Sequence, residues 1–123
     1  MTTTMRFLLL LALLLHLAGC DRLVLRNDEI ELPNPVVTQE QIQDVRNKVK
    51  KAVGDAGYRE SNDNCPVSAE IYCATFKIDQ VNAGLVVWVS TKDPSKLEAA
   101  FSSFGIITDR SDEAFEALRK AFQ

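Results

Sequence analysis

Histidine is almost missing from this chain of 123 residues. The only one, His16, lies at the end of an apolar run, and no imidazole follows it. The chain after residue 16 therefore has no base for Ser-His-Asp or Cys-His catalysis and no histidine ligand for a metal. We expect no catalytic residue, no metal site and no cofactor, so we predict that the protein is not an enzyme.

The chain also has few glycines and no excess of positive charge. None of the five glycines forms a Gly-rich loop after a predicted strand, so a nucleotide-phosphate site has no support. The 17 acidic residues outnumber the 14 Lys and Arg, which gives a formal net charge of −3 at pH 7. Nucleic-acid binding depends on cations that neutralise phosphates. We therefore expect no nucleic-acid partner.

The first 19 residues have the organisation of a secretory signal peptide. Arg6 is the only charged residue before Asp21, and residues 7–15 are an uninterrupted apolar run. A basic start, a short apolar run and a small-residue exit are typical of such leaders. A membrane-spanning helix needs roughly 20 apolar residues. We therefore predict a cleaved leader over residues 1–19 rather than a transmembrane helix.

Leu17-Ala18-Gly19-Cys20 closes this leader. The tetrapeptide resembles the lipobox of bacterial lipoprotein precursors, a Leu and two small residues before a cysteine. The resemblance implies that the Cys20 thiol takes a diacylglyceryl group. It also implies cleavage before Cys20 and acylation, for example with palmitate, of the new amine. Two or three acyl chains hold a protein on its membrane essentially permanently, so the membrane is an expected partner through lipid on Cys20.

Asp21 follows the cysteine to which we assign the lipid. In enterobacterial lipoproteins, Asp at this position resembles a signal for retention at the inner membrane. We therefore favour the periplasmic face of the inner membrane over the outer membrane. The rest of the chain is expected to form a tether over residues 20–37, with Pro33 and Pro35, and one small domain over residues 38–123. Apolar residues of the tether either pack on the domain or add a strand to a partner: Leu23, Leu25, Ile30 and Leu32.

Cys65 and Cys73 remain once Cys20 is assigned to lipid. An even pair of cysteines in an oxidising compartment predicts a disulfide bond. The alternative is a metal or redox pair. A C-x7-C spacing without a nearby histidine is typical of neither a zinc knuckle nor a C-x-x-C redox motif. We therefore favour the disulfide.

Three segments of the domain carry helix signals. Thr38 and Gln41 form a capping box before an apolar stripe with helical spacing, and Gly54 or Gly57 is expected to end that helix. Asp93 and Pro94 are typical of the N-cap and first turn of a second helix. Its expected buried stripe is Leu97, Ala100, Phe101 and Phe104, and a last helix capped by Ser111 or Asp112 buries Phe115, Leu118, Ala121 and Phe122.

Strand signals fall between these helices. Residues 72–79 alternate apolar and polar side chains, residues 85–91 are β-branched and apolar on both faces, and turn chemistry joins them. A helix over 69–78 is an alternative for the first strand. Residues 106–108 are expected to form a short edge strand. The resulting fold class is α+β, a small two-layer sandwich with helices packed on one face of an antiparallel sheet.

Trp88, Arg46 and Lys50 are the candidate partner-binding residues. Trp88, the only tryptophan, is either an interface anchor or a core residue of the central strand. It becomes a candidate binding residue if helices leave its face of the sheet uncovered. Arg46 and Lys50 belong to a basic helix face that either meets an acidic partner or is simply solvated.

These features favour a non-enzymatic, membrane-anchored module that binds an envelope protein, as an accessory subunit or an immunity-type inhibitor. One alternative is a small envelope hydrolase whose carboxylates, Glu60 with Asp63 or Glu70 with Asp79, act as acid and base. The other is a structural lipoprotein that spaces the membrane from the cell wall.

The Cys20→Ser variant is expected to lose lipid, because a hydroxyl replaces the thiol that accepts it. We predict that the precursor stays uncleaved and that labelled palmitate is not incorporated. Gel mobility, palmitate labelling and membrane fractionation measure the change. Unchanged cleavage and fractionation of the variant would contradict the assignment of Cys20.

Overall fold

The computed structural model describes residues 23–78, 83–104 and 110–123. Cys20 and Asp21 therefore lie outside the described residues. Five strands and two helices follow one another along the chain: β1 (Leu23–Glu31), α1 (Gln39–Asp55), β2 (Arg59–Ser61), β3 (Cys73–Ile78), β4 (Ala83–Val89), β5 (Lys96–Phe104) and α2 (Ser111–Ala121).

The five strands form one antiparallel sheet in the order β1-β5-β4-β3-β2. Both helices pack on the same face of this sheet, and their buried side chains join those of the strands in one hydrophobic core. The predicted α+β two-layer class is therefore confirmed. The core draws on the inward positions of β3, β4 and β5 and on the apolar stripes of both helices: Ala74, Phe76, Ile78, Leu85, Val87, Leu97, Ala99, Phe101, Val49, Val53, Phe115 and Leu118.

Helix α1 begins with the predicted capping box. The Gln41 backbone N–H donates to Thr38 Oγ1 at 3.2 Å, and the Thr38 N–H donates to Gln41 Oε1 at 3.0 Å, so two free donors of the first turn are satisfied. Val45, Val49 and Val53 are the buried stripe. The helix ends at Asp55, and Gly57 follows with φ +95°, a conformation that costs glycine no steric penalty.

Strands β3 and β4 form the predicted antiparallel pair, which excludes the alternative helix over 69–78. Phe76 faces Leu85 and Ala74 faces Val87 on the core side of the pair. The connection over residues 79–82 lies outside the described residues.

The predicted second helix is wrong, because residues 96–104 form strand β5 between β1 and β4. Leu97 and Phe101 share a face at both the helical and the strand period, whereas the burial of Ala99 fits only the period of two. Asp93 closes a turn instead of capping a helix. Its Oδ1 accepts from the Ser95 N–H at 3.0 Å and from the Ser95 hydroxyl at 2.6 Å. The edge strand predicted at 106–108 lies outside the described residues.

The segment expected to be a tether belongs to the fold from residue 23 onward. Strand β1 pairs with β5 along its whole length, from Leu23 opposite Phe104 to Glu31 opposite Lys96. After the strand, Leu32 is buried, and its N–H donates to the Ser95 carbonyl at 2.8 Å. The packing alternative is thus the correct one for Ile30 and Leu32, while Leu25 is 69 % exposed.

Polar side chains join β1 to α2. Arg26 donates to Ser111 Oγ at 2.7 Å and to Asp112 Oδ1 at 2.6 Å. About two turns further along α2, Arg119 forms an ion pair with Asp28. Ser111 is the first residue of α2 and is buried, and Arg110 occupies the N-cap position without a side-chain cap. Inside α2, Phe115 and Leu118 face the core as predicted.

The strand conformation of β5 predicts unequal effects of two neighbouring substitutions. Ala99→Asp places an unpaired carboxylate in the core, and we expect a loss of about 3–5 kcal/mol in the free energy of unfolding. Ala100→Asp places the same group on the other, partly exposed face of the strand, and we expect a change within about 1 kcal/mol. Urea denaturation followed by circular dichroism compares the two. A larger loss in Ala100→Asp would indicate the helical periodicity instead.

Candidate interaction surface

One face of the sheet carries no helix among the described elements. We call it the open face. Along β4, Leu85 and Val87 point to the helices, whereas Val86 and Trp88 alternate onto the open face and are partly exposed. The other outward positions of the paired strands are also partly or fully exposed: Leu25, Asn27 and Glu29 on β1, Lys96, Glu98, Ala100 and Ser102 on β5, Gly84 on β4, and Cys73, Thr75 and Lys77 on β3.

Trp88 lies on β4, the middle strand of the five, one residue before that strand ends. The register places it directly opposite Cys73 of β3 and Glu98 of β5. Val86, two residues before it, lies between Thr75 and Ala100. Directly paired side chains of an antiparallel sheet have Cβ atoms roughly 4.5–5.5 Å apart, so these residues form one contiguous patch. Of the two alternatives for Trp88, the structure favours the surface position.

The Cys65–Cys73 disulfide is present, as predicted, with the two Cα atoms 6.2 Å apart. Cys73 lies on the open face, so the bond fixes the preceding loop beside Trp88. Thr75 strengthens this attachment, because its Oγ1 lies 3.2 Å from the carbonyl oxygens of both Ser61 and Asp63. The disulfide therefore shapes one border of the open face.

Both lysines of the open face form ion pairs with neighbouring carboxylates. Lys77 Nζ lies 2.5 Å from Asp63 Oδ2, and Lys96 Nζ lies 3.7 Å from Glu29 Oε1. Hydrogen bonds to Lys77 and then to Ser61 lower the pKa of Asp63 below its usual value. Glu98 and Glu31, in contrast, make no ion pair with the part of the chain that the structure describes. The neighbourhood of Trp88 is consequently acidic.

Arg46 and Lys50 lie on the other side of the sheet from Trp88. Arg46 Nη2 and Lys50 Nζ approach the two carboxylate oxygens of Glu60 at 3.7 and 3.6 Å. Glu60 stands opposite Phe76, a core residue under the helices. The structure thus does not bring Trp88 together with these two candidate residues.

The Tyr72 hydroxyl is a feature of this second region that the sequence does not predict, although the alternation over residues 72–79 predicts that the side chain is buried. The side chain is only 8 % exposed, and its hydroxyl has no hydrogen-bond partner among the described residues. Burial, and then the negative charge of Glu60, raise the pKa of this phenol far above its ordinary value, although Arg46 acts in the opposite direction. The apolar alternation of β3 extends back to residue 72, which was the available signal for its burial.

The candidate carboxylate pairs do not converge in the described structure. Glu60 faces the helices, whereas Asp63 pairs with Lys77 on the open face. Glu70 is exposed, and Asp79 lies outside the described residues. Within the described ranges, no group of three or more His, Cys, Asp or Glu residues is placed to hold a metal ion.

The helices enclose a basic groove of about 450 Å³ on the side away from the open face. Three alanines, one carboxylate and three lysines line it: Ala52, Ala117, Ala121, Asp55, Lys48, Lys51 and Lys120. Lys48 is paired with Asp44 at 3.3 Å, while Lys51 and Lys120 have no ion-pair partner in the described ranges. The two faces of the protein therefore differ in charge.

Comparison with protein-family models, with curated proteins and with solved structures finds no match to this chain. Neither helix among the described residues is long and apolar enough to cross a membrane.

The lone hydroxyl of Tyr72 makes Tyr72→Phe a stabilising substitution. A buried hydroxyl without a hydrogen bond costs about 1–3 kcal/mol, so we expect the variant to gain about 1 kcal/mol in the free energy of unfolding. The raised pKa adds a pH dependence. Above the ordinary tyrosine pKa only the unfolded chain ionises, so wild-type stability falls as the pH rises there, and the variant loses less.

Tyr58→Phe is the matched control, because the Tyr58 hydroxyl does have a partner, the Arg110 carbonyl oxygen at 3.4 Å. Loss of that bond is expected to destabilise the protein by about 0.5–1 kcal/mol. Urea denaturation at neutral and alkaline pH measures both variants. Destabilisation by Tyr72→Phe at neutral pH would show that its hydroxyl does have a partner.

Proposed function

We propose that this protein is a lipid-anchored component of a bacterial envelope that binds a protein partner through its open face. Cys20 carries the lipid, and Asp21 retains the protein at the periplasmic face of the inner membrane. The role is that of a non-enzymatic module, such as an accessory subunit of an assembly or an immunity-type inhibitor.

The observation that carries the proposal is the exposure of Trp88 within the open face. Protein interfaces are enriched in aromatic residues and combine a central apolar patch with a polar rim. Trp88, Val86, Ala100 and Leu25 supply the apolar side chains, and the ion pair of Lys96 with Glu29 lies at their border. A sheet that buries only one face in its own core leaves the other available for a partner.

The position of β1 supports a partner close to the membrane. The strand begins at Leu23, three residues after Cys20. Three extended residues cover at most about 10 Å, so lipid on Cys20 holds the start of the sheet near the membrane surface. A partner that meets the open face is therefore itself an envelope protein.

Separated carboxylates support a binding role over a hydrolytic one. Acid–base hydrolysis of a glycan needs two carboxyl groups that flank one bond, about 5–9.5 Å apart. Glu60 and Asp63 project to opposite faces, and each is engaged by its own cations. This arrangement is typical of surface ion pairs.

Site-specific photo-crosslinking in the producing bacterium tests the proposal. A benzophenone amino acid replaces Ser102, which is exposed on the open face, or Gln43, which is exposed on α1. We expect one adduct of defined mass from position 102 and none from position 43. The same adduct should also form when the probe replaces Asn27, which is exposed on β1 opposite Ala100.

Val86→Asp is the variant that should abolish partner binding while the fold is kept, because it puts a charge within the apolar patch without entering the core. We expect the adduct from position 102 to disappear in this variant while the urea midpoint stays close to that of the wild type. Equal adducts from positions 102 and 43, or an adduct unaffected by Val86→Asp, would refute binding through the open face.

A further inference from the structure

The charges around Trp88 point to the chemistry of the partner. We infer that the partner presents an arginine or lysine side chain that binds between the Trp88 ring and the Glu98 carboxylate. This inference rests on the proposed function and specifies the contact within the same surface.

Trp88 and Glu98 form a directly opposed pair on neighbouring strands in the middle of the sheet. Both side chains point away from the helices and are partly exposed. Glu98 makes no ion pair within residues 23–78, 83–104 and 110–123. An aromatic ring and an available carboxylate therefore lie side by side on the open face, near the end of β4.

The neighbours of Glu98 increase the acidic character of this position. Across β5, Glu98 stands opposite Glu29 of β1, and Glu31 lies one pleat further along the same strand. Lys96 is the one cation within this group, and its Nζ is directed to Glu29 at 3.7 Å. Three carboxylates with a single lysine leave an excess of negative charge that a cationic side chain complements.

A cationic side chain satisfies both halves of the Trp88–Glu98 pair at once. Its charge is attracted by the face of the indole ring and by the carboxylate, and both attractions strengthen when the interface excludes water. Arginine suits the position better than lysine, because a planar guanidinium stacks on the ring while its edge donates to the carboxylate.

The helical layer of the protein allows a specific cationic contact at Trp88 to be distinguished from nonspecific peptide binding. The groove between α1 and α2 is lined by Lys48, Lys51 and Lys120, so an acidic segment would favour that groove. An acidic probe is therefore expected to leave the environment of Trp88 unchanged, whereas a basic probe should alter it.

Trp88 is the only tryptophan, so its fluorescence reports on this position alone. The full chain in non-ionic detergent is titrated with three capped octapeptides of alternating composition, Gly-Arg, Gly-Gln and Gly-Glu. We expect saturable quenching or a spectral shift with the Gly-Arg peptide at the lowest concentration. The Gly-Gln peptide should be weaker, and the Gly-Glu peptide should have no effect.

The variants Glu98→Gln and Glu40→Gln distinguish the effect of the carboxylate beside Trp88 from the effect of the protein's net charge. Glu40 is exposed in the first turn of α1, on the helical layer, so both variants lose one negative charge but only one loses it beside Trp88. Glu98→Gln is expected to weaken the Gly-Arg peptide about two- to fivefold. Glu40→Gln should leave its affinity unchanged.

Equal binding of the Gly-Arg and Gly-Gln peptides to the wild type would overturn the inference, and so would equal losses in the two variants. Failure of the peptides together with a specific adduct at position 102 would refute only the cationic contact. Absence of the adduct would instead refute the proposed function.

Discussion

The structure depends on one constraint, the burial of only one face of an antiparallel sheet. Both helices lie on that face, so alternate residues of each strand enter the core and the residues between them remain outside. Strand β4 shows the consequence: Leu85 and Val87 are buried, while Val86 and Trp88 are partly exposed although they are equally apolar. The open face therefore follows from the number and placement of the helices.

Local signals in the sequence were sufficient where the stabilising partners are near in the chain. The capping box of α1 joins Thr38 to a residue three positions later, and the Cys65–Cys73 bond closes a short loop. The pairing of β3 with β4 likewise connects neighbouring segments of strong β-propensity. These elements and the α+β class were predictable from the residues alone.

The sequence did not predict strands β1 and β5 correctly, because the residues that stabilise β1 are distant in the chain and the residues of β5 are small. Strand β1 belongs to the segment that Pro33 and Pro35 predict to be a tether, yet its charged Arg26 and Asp28 point toward α2, where Asp112 and Arg119 neutralise them. Those partners lie more than 80 residues away in the chain, beyond any local pattern. In β5, the two alanines favour a helix by intrinsic propensity, so pairing with β1 and β4 overrides the local preference and decides the conformation.

The sequence predicted the candidate surface only on the condition that no helix covers the face of the sheet that carries Trp88. The sequence made Trp88 a core residue or an interface residue, and the absence of a helix over its face in the described structure favours the second. Arg46 and Lys50, the other candidates, lie on the opposite side of the sheet, where both approach Glu60. Both side chains stay largely exposed, so this part of the basic helix face is a solvated surface with ion pairs to β2.

The register of the sheet, combined with the proposed anchor, limits the distance from the membrane surface at which a partner meets the open face. The start of β1, beside Cys20, is level with the end of β5 at Phe104 and next to the start of β4. Glu98 lies six residues before Phe104, which corresponds to about 20 Å along the strand. If lipid is attached to Cys20, the Trp88–Glu98 pair lies within about 30 Å of the membrane surface at any tilt of the strands, because the chain from Cys20 to Leu23 and the strand segment together span no more than that. A partner in the same envelope would then meet the pair within that distance of the membrane.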